Sequence, residues 1–149
     1  MAQFIGRLES AARVLLADAG VRILNVDSPD HDEVRLEVLG ADSVAERFQM
    51  TAEPPADEAT AAEGMGAWHV NNVNEFETVL SGEGIVEFWT EDGPVAVLLG
   101  AGDVMAVEHA EHRYRPLTSQ GWALRFAGGP DGEFVGTDTG RPSHAWPAP

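Results

Sequence analysis

Two stretches of the sequence contain the residue types that metal binding and acid–base chemistry require. In the first, His69, Asn71 and Glu75 precede Gly82. Residues two apart in a strand point to the same side, so His69 and Asn71 share a face that Glu75 can approach across a turn. In the second, His112 closes a run that begins with a Gly-Asp pair. The chain has no cysteine, which leaves histidine and carboxylate ligands, suited to iron, nickel, manganese or zinc.

These stretches resemble the two sequence motifs of the cupins, a family of small antiparallel β-barrels. The first cupin motif runs His-x-His, three or four residues, Glu, six residues, Gly, and His69, Glu75 and Gly82 stand at those offsets. The second runs Gly-Asp, an apolar strand, a turn and a closing His. The resemblance implies a cupin (jelly-roll) barrel with one divalent metal ion bound by His69, Glu75 and His112. Asn71 replaces the second histidine of the motif and is expected to assist as a metal ligand.

Three points of this site stay open at the level of the sequence. His109 takes the place of His112 if the shortened turn before it is built differently. Asn71 either ligates weakly through its amide oxygen or hydrogen-bonds a substrate or a metal-bound water. In a metal-free alternative, His69 and His112 lie inside the barrel and form hydrogen bonds with Glu75 and Tyr114 in place of binding a metal ion.

Within the cupins, the chain from Gly66 to its last residue resembles the acireductone dioxygenases. ETVLSGEGIVEFW is similar to the strand after their glutamate, and WALRFAGGPDGEFV is similar to their late arginine-bearing strand. This implies a dioxygenase that uses iron or nickel, with zinc or manganese as the other candidates, and matches Arg125 to a substrate-contacting arginine. Glu77, however, stands where the family has an arginine facing the substrate, and a carboxylate there would repel the dianionic acireductone.

Glu77 and Arg125 are therefore the predicted catalytic residues, and both are expected to face the barrel interior as a pair. The leading hypothesis is a metal-dependent cupin enzyme of small-molecule metabolism, a dioxygenase acting on a substrate other than acireductone. The alternatives are an isomerase, cyclase or lyase with a glutamate base, and a non-enzymatic cupin that binds a small ligand.

The elements that must position these residues are short strands separated by glycine turns. After Gly66, six apolar runs alternate with turn signals, which predicts a barrel core over residues 66–127 within one domain. Before this core, the sequence predicts a helix over Phe4–Ala19 ended by Gly20, the strands VRILNV and EVRLEVL, a short helix over Asp42–Met50, and a loop over Thr51–Gly66. After the core, it predicts an irregular tail over Gly128–Pro149 that is anchored by Phe134 and Trp146.

The excess of acidic residues limits the kinds of molecule that the protein can bind. The formal charge is −16, from nine Lys+Arg against twenty-five Asp+Glu, and every one of the nine is an arginine. Such a surface repels phosphate backbones and anionic lipid, and the missing lysine excludes Schiff-base chemistry. We expect a cytoplasmic bacterial protein without a signal peptide, a small-molecule substrate, and a homodimer that covers the edge strands.

Overall fold

The computed structural model describes residues 1–41, 47–128 and 134–149, with nothing described for the side chain of Arg47. These residues form eleven strands and two α-helices, with two single 3-10 turns at Thr60–Ala62 and Gly64–Gly66. The elements, in chain order, are β1 (Gln3–Ile5), α1 (Glu9–Asp18), β2 (Val21–Asn25), α2 (His31–Leu39), β3 (Arg47–Ala52), β4 (His69–Asn71), β5 (Glu75–Ser81), β6 (Gly84–Thr90), β7 (Gly93–Leu99), β8 (Asp103–Val107), β9 (His112–Pro116), β10 (Gln120–Phe126) and β11 (Gly136–Asp138).

The strands form two antiparallel sheets that face each other. One sheet has the order β1-β7-β6-β9-β4-β11, and the other has the order β2-β8-β5-β10-β3. The six strands predicted after Gly66 are β5 to β10, and all six are confirmed. Both sheets also take strands from outside residues 66–127, because β1, β2, β3 and β11 add to their edges. The architecture is the predicted β-barrel of the jelly-roll type.

Two predictions for the first forty residues are wrong. EVRLEVL forms α2 instead of a strand, because Val34, Val38 and Leu39 pack as one helical stripe on the five-stranded sheet while Leu36 is 52% exposed. The first helix begins at Glu9 rather than at Phe4, since residues 3–5 pair with β7 instead.

Of the other predictions for this part of the chain, one is confirmed and one is wrong in part. Gly20 ends α1 with a φ of +89°, as predicted, and lies against the backbone of Glu108. The short helix expected over Asp42–Met50 is wrong for residues 47–50, which belong to β3, and its first part lies outside the described residues. Within the described residues, no helix is long and apolar enough to cross a membrane.

The largest apolar core lies between the two sheets and extends under α1. A second core joins α2 to the outer face of the five-stranded sheet, where Phe76 is buried among the helix residues. A third, smaller core lies on the outer face of the six-stranded sheet and includes Trp146 of the C-terminal tail. The tail is irregular apart from β11, as predicted, and Trp146 anchors it.

A buried ion pair lies beneath this tail. Arg113 on β9 is fully buried and its Nε donates to a carboxylate oxygen of Glu87 on β6 at 2.8 Å. The guanidinium also donates to the backbone oxygen of His144 at 3.1 Å and lies over the ring of Trp146 at 3.9 Å. The ion pair therefore joins two neighbouring strands and fastens the tail to them.

Candidate active site

A cavity of about 350 Å³ opens between the two sheets. This volume falls in the range of about 300–1,000 Å³ that is typical of small-molecule sites. Most of its wall is apolar, and its polar side chains gather at one end. The lining consists of Met50, Gly64, Met65, His69, Asn71, Glu75, Glu77, Met105, His112, Tyr114, Trp122, Leu124, Phe126, Phe134, Gly136 and Asp138.

Two histidines on adjacent strands face each other at the polar end. β4 and β9 pair at His69 and His112, whose ring centroids are 4.5 Å apart. The Nδ1 atom of His69 donates to the backbone oxygen of Ala67, and that of His112 donates to Ala110, each at 2.8 Å. Because a carbonyl oxygen only accepts, each Nδ1 carries a proton, and Nε2 is the ring nitrogen of each histidine that remains for contacts in the cavity. Burial lowers the pKa of His112, which keeps that ring neutral.

Two carboxyl groups from β5 complete the polar end. Glu75 and Glu77 are two residues apart, so both side chains leave the same face of the strand, and they are only 2% and 7% exposed. Burial raises the pKa of Glu77 well above its ordinary value of 4.5, and the charge of Glu75 and a hydrogen bond between the two carboxyls raise it further. Glu77 therefore keeps its proton and donates it to the carboxylate of Glu75, whose Oε2 lies 3.9 Å from Nε2 of His112.

A chain of hydrogen bonds fixes the side wall next to these carboxyls. Trp122 Nε1 donates to the hydroxyl of Tyr114 at 3.0 Å, and that hydroxyl donates to the side-chain oxygen of Gln120. Gln120 in turn donates to the backbone oxygen of Leu99 at 3.1 Å. Burial raises the pKa of Tyr114 to about 12, so its hydroxyl stays protonated and serves as a donor. Gly84 makes this chain possible, because a Cβ there would lie 2.1 Å from the Gln120 oxygen.

Asn71 lies in the wall beside the histidines and is 4% exposed. It pairs with Gly136 of β11, and a Cβ at that glycine would come within 3.0 Å of the Asn71 side-chain oxygen. The missing side chain at residue 136 thus lets the C-terminal strand pass closely over Asn71.

The structure brings five of the predicted site residues together and leaves Arg125 apart from them. His69, Asn71, Glu75, Glu77 and His112 all line the cavity, and each lies on the strand on which the sequence analysis expected an inward-facing residue.

The predicted pairing of Arg125 with Glu77 is wrong. Across β5 and β10, Leu124 lies opposite Glu77, whereas Arg125 lies opposite Phe76. Paired residues of an antiparallel sheet share a face, so Arg125 is on the outer face beside the core of α2. His109 is also excluded as a substitute for His112, because it lies on an exposed turn with a φ of +57° and lines a different, shallower pocket beside α1.

A metal ion at the predicted site requires its ligands to converge on one point. The donor types are suitable, since two neutral imidazoles and one carboxylate form a set that divalent transition metals accept. Within the described residues, however, no three histidine, aspartate or glutamate side chains lie close enough together to hold a metal ion. The carboxylate of Glu75 is instead hydrogen-bonded to Glu77. As they are arranged, these side chains do not fit a metal ion.

Sequence analysis missed the residues that make the rest of the cavity. Met50, Met65 and Phe134 come from segments outside the motifs, and Asp138 lies at the open end on β11. Trp122 and Leu124 could have been found from the alternation of β10, in which every second residue faces inward.

No protein-family model and no curated protein matches this sequence. Among solved structures, the chain is similar to the acireductone dioxygenase from Bacillus anthracis with a cadmium ion in its active centre. The TM-score is 0.56 at 16% sequence identity, over 85% of this chain and 91% of that one. The chain has a cupin fold. At this identity the similarity establishes the cupin architecture and leaves the activity to the site residues.

A variant of the oxalate decarboxylase from Bacillus subtilis is also similar, with a TM-score of 0.47 and 14% identity. The match covers 80% of this chain and 27% of the decarboxylase, so this cupin spans about a quarter of that enzyme.

Proposed function

We propose that this cavity is the active site of a small-molecule enzyme in which Glu75 and Glu77 transfer protons. The observation that carries the proposal is a pair of buried carboxyls, hydrogen-bonded to each other, at the polar end of a cavity with no described cationic side chain in its wall. Two carboxyls in one site serve as acid and base when their surroundings keep one protonated and the other ionised. Burial and the neighbouring charge of Glu75 raise the pKa of Glu77 and so favour its protonated form.

The arrangement suits the removal of a proton from a carbon next to a carbonyl group. Glu75 takes the proton from the carbon as the C–H bond breaks, and Glu77 gives its own proton to the carbonyl oxygen, so that the product is the enol. Glu75 ends neutral and Glu77 ends ionised, and the total charge of the pair does not change. The step therefore buries no additional charge in the cavity. Return of a proton to a different atom completes an isomerisation, and loss of a neighbouring group completes an elimination.

The other polar side chains orient the reacting molecule in this scheme. Because a backbone oxygen holds Nδ1 of His69 and of His112, Nε2 of each ring is the atom that can bond a substrate hydroxyl. The hydrogen-bond chain through Trp122 and Tyr114 keeps the adjacent wall rigid. The apolar residues around the carboxyls exclude water, which strengthens electrostatic interactions at the polar end.

The test is proton exchange into a neutral ketone. Metal-free protein, prepared with a chelating resin, is incubated in D₂O with 1-tetralone, and deuterium uptake next to the carbonyl is followed by NMR. We expect exchange above the uncatalysed rate without added metal and without oxygen consumption. Glu83→Gln, on an exposed turn, makes the same chemical change as Glu75→Gln and should leave the exchange unchanged. Exchange that requires added metal would contradict the proposal.

A metal-dependent dioxygenase is the second candidate, favoured by one specific observation. His69 and His112 each have Nδ1 held by a backbone oxygen, which is how metal-binding histidines are commonly oriented, and Glu75 lies beside His112. The Bacillus anthracis neighbour carries its cadmium ion in the active centre. Iron or nickel, or else zinc or manganese, would require these three side chains to converge and Glu75 to release Glu77.

Elemental analysis after dialysis against each metal, together with an oxygen electrode, separates the two candidates. One equivalent of bound metal that is lost in His69→Ala and His112→Ala, with oxygen uptake in its presence, would favour the dioxygenase. Binding of no metal would support the acid–base enzyme.

A further inference from the structure

We infer that the cavity takes an uncharged aromatic molecule that carries a carbonyl or hydroxyl group at one end. This inference rests on the proposed function for the location of the reacting group, and it adds the class of substrate. It follows from the shape and charge of the cavity wall.

The wall away from the carboxyls is built from apolar side chains of the five-stranded sheet and of the adjoining loops. Met50 and Met105 come from β3 and β8, and Trp122 and Leu124 come from β10. Methionine adapts its unbranched side chain to the outline of a ring and makes favourable contacts between sulfur and aromatic groups. Binding an apolar ring against such a wall is favourable, because it removes apolar surface of both from water.

The mouth of the cavity contains an aromatic stack. The rings of Phe126 and Phe134 are stacked with centroids 4.1 Å apart and 28° between their planes. Both rings line the cavity, and Trp122 lies further along the same strand. A flat aromatic ligand would extend this arrangement of rings, because offset stacking adds to the free energy gained by burying apolar area.

An anionic ligand does not suit this cavity. The chain has no lysine, and no described arginine side chain is among the lining residues. Seven arginines are instead ion-paired with acidic groups elsewhere: Arg7, Arg13, Arg22, Arg35, Arg113, Arg115 and Arg141. The charges that do line the cavity, on Glu75 and Asp138, are negative and would repel an anion.

A cationic ligand is disfavoured for a different reason. It would shed its hydration shell into a largely apolar cavity, and the nearby carboxylate of Glu75 already accepts a hydrogen bond from Glu77. A carbonyl or hydroxyl oxygen can instead accept the proton of Glu77, and a hydroxyl can also donate to Nε2 of a histidine.

Three naphthalene probes of equal ring size and different charge test the inference at equilibrium. At pH 7 these are 2-naphthol, 2-naphthoate and 2-naphthylmethylammonium, with binding measured by calorimetry on the full chain. We expect 2-naphthol to bind at least tenfold more tightly than either ion. Equal or tighter binding of the naphthoate, or of the ammonium ion, would overturn the inference.

The methionines report where the probe binds. The chain has four, of which Met50, Met65 and Met105 line the cavity while Met1 is 97% exposed. In protein labelled with ¹³C at the methionine methyl groups, ring currents from bound 2-naphthol should shift those three signals and leave that of Met1 unchanged. Shifts absent from all three would contradict binding in the cavity.

A matched pair of variants supplies the control. Leu124→Trp fills the cavity and should abolish the methyl shifts, whereas Leu36→Trp on the exposed side of α2 should leave them intact. The probe comparison on the unmodified chain decides the inference even if Leu124→Trp fails to fold. Selective binding of 2-naphthol without tetralone exchange would retain this ligand class and reject the proton-transfer function. Tetralone exchange without selective binding of 2-naphthol would retain the proton-transfer function and reject this ligand class.

Discussion

Two buried carboxyls on opposite faces of the barrel show how differently one fold treats the same side chain. Glu87, on the outer face of the six-stranded sheet, is 2% exposed and lies against the guanidinium of Arg113. Glu77, inside the cavity, is 7% exposed and its partner is the carboxylate of Glu75. The outer site compensates its negative charge with a cation, whereas the inner site keeps the group neutral by holding its proton.

The difference separates a structural site from a functional one. The outer pair compensates its charges where it lies, and its contacts with the tail hold the C-terminal segment against the sheet. The inner pair places two ionisable groups where neither has a cation, which costs stability and is expected where a site uses proton transfer.

The largest effect is expected when the base is removed from the inner pair. Glu75→Gln should lower the rate of tetralone exchange by about two to four orders of magnitude, the usual contribution of a positioned acid or base. The measurement is the initial rate of deuterium uptake by NMR, with circular dichroism to confirm the fold. A decrease of less than tenfold would mean that the pair has no part in the exchange.

A substitution in the outer pair, Glu87 and Arg113, should lower the stability of the protein and leave the rate of tetralone exchange unchanged. Glu87→Gln leaves the guanidinium of Arg113 buried without a counter-charge, which costs about 3–5 kcal/mol in the free energy of unfolding. Chemical denaturation measures this loss, while exchange per folded molecule stays unchanged. The double variant Glu87→Gln with Arg113→Met should recover much of the stability, and no recovery would argue against an ionic origin.

The pH dependence of stability distinguishes the inner carboxyl from the outer one. Folded Glu77 retains a proton that the unfolded chain releases above about pH 4.5, because the pKa of the folded group is raised. Its contribution to stability is therefore full below that pH and is lost as the pH rises toward the folded pKa. Glu77→Gln should make the unfolding free energy fall less steeply between pH 5 and 8, by up to about 1.4 kcal/mol per pH unit. Equal slopes in the two proteins would show that Glu77 ionises in the folded state.

The smallest effect is expected at a third carboxylate, on the surface. Arg141 donates to both carboxylate oxygens of Glu111, at 3.0 and 2.8 Å, and lies over the ring of Trp89 at 3.6 Å. Such partly exposed pairs contribute up to about 1 kcal/mol. Arg141→Gln should therefore lower the midpoint of denaturation only slightly and leave naphthol binding unchanged. A loss as large as that of Glu87→Gln would erase the distinction between buried and surface pairs.

The strands of the barrel could be predicted from the sequence because each has its own alternation and a glycine turn at its end. The segment EVRLEVL shows where this method fails. Val34, Leu36 and Val38 alternate like a strand, yet Val34 and Val38 are also four residues apart, and packing on Phe76 decides for the helix. The strands β1, β3 and β11 depend on partners far away in the chain, which local pattern does not reveal.

The same limit applies to the site. Glu77 was placed inside the barrel correctly because its position relative to Glu75 is fixed within one strand. Arg125 was placed wrongly because the face it occupies depends on the register between β5 and β10, which sets Leu124 opposite Glu77. The homodimer stays a prediction, since the structure contains one chain.

The strand β4 has a consequence for how the protein is made. It is three residues long, it contacts β9 through the His69–His112 pair, and its other edge is covered by residues 136–138. A ribosome completes every residue of the polar end of the cavity before it reaches that covering strand. Until then, the nascent chain presents an unpaired strand edge next to two buried acids, and such edges are the sites at which incomplete chains associate. A chaperone that protects this protein during synthesis would therefore be expected to act on β4.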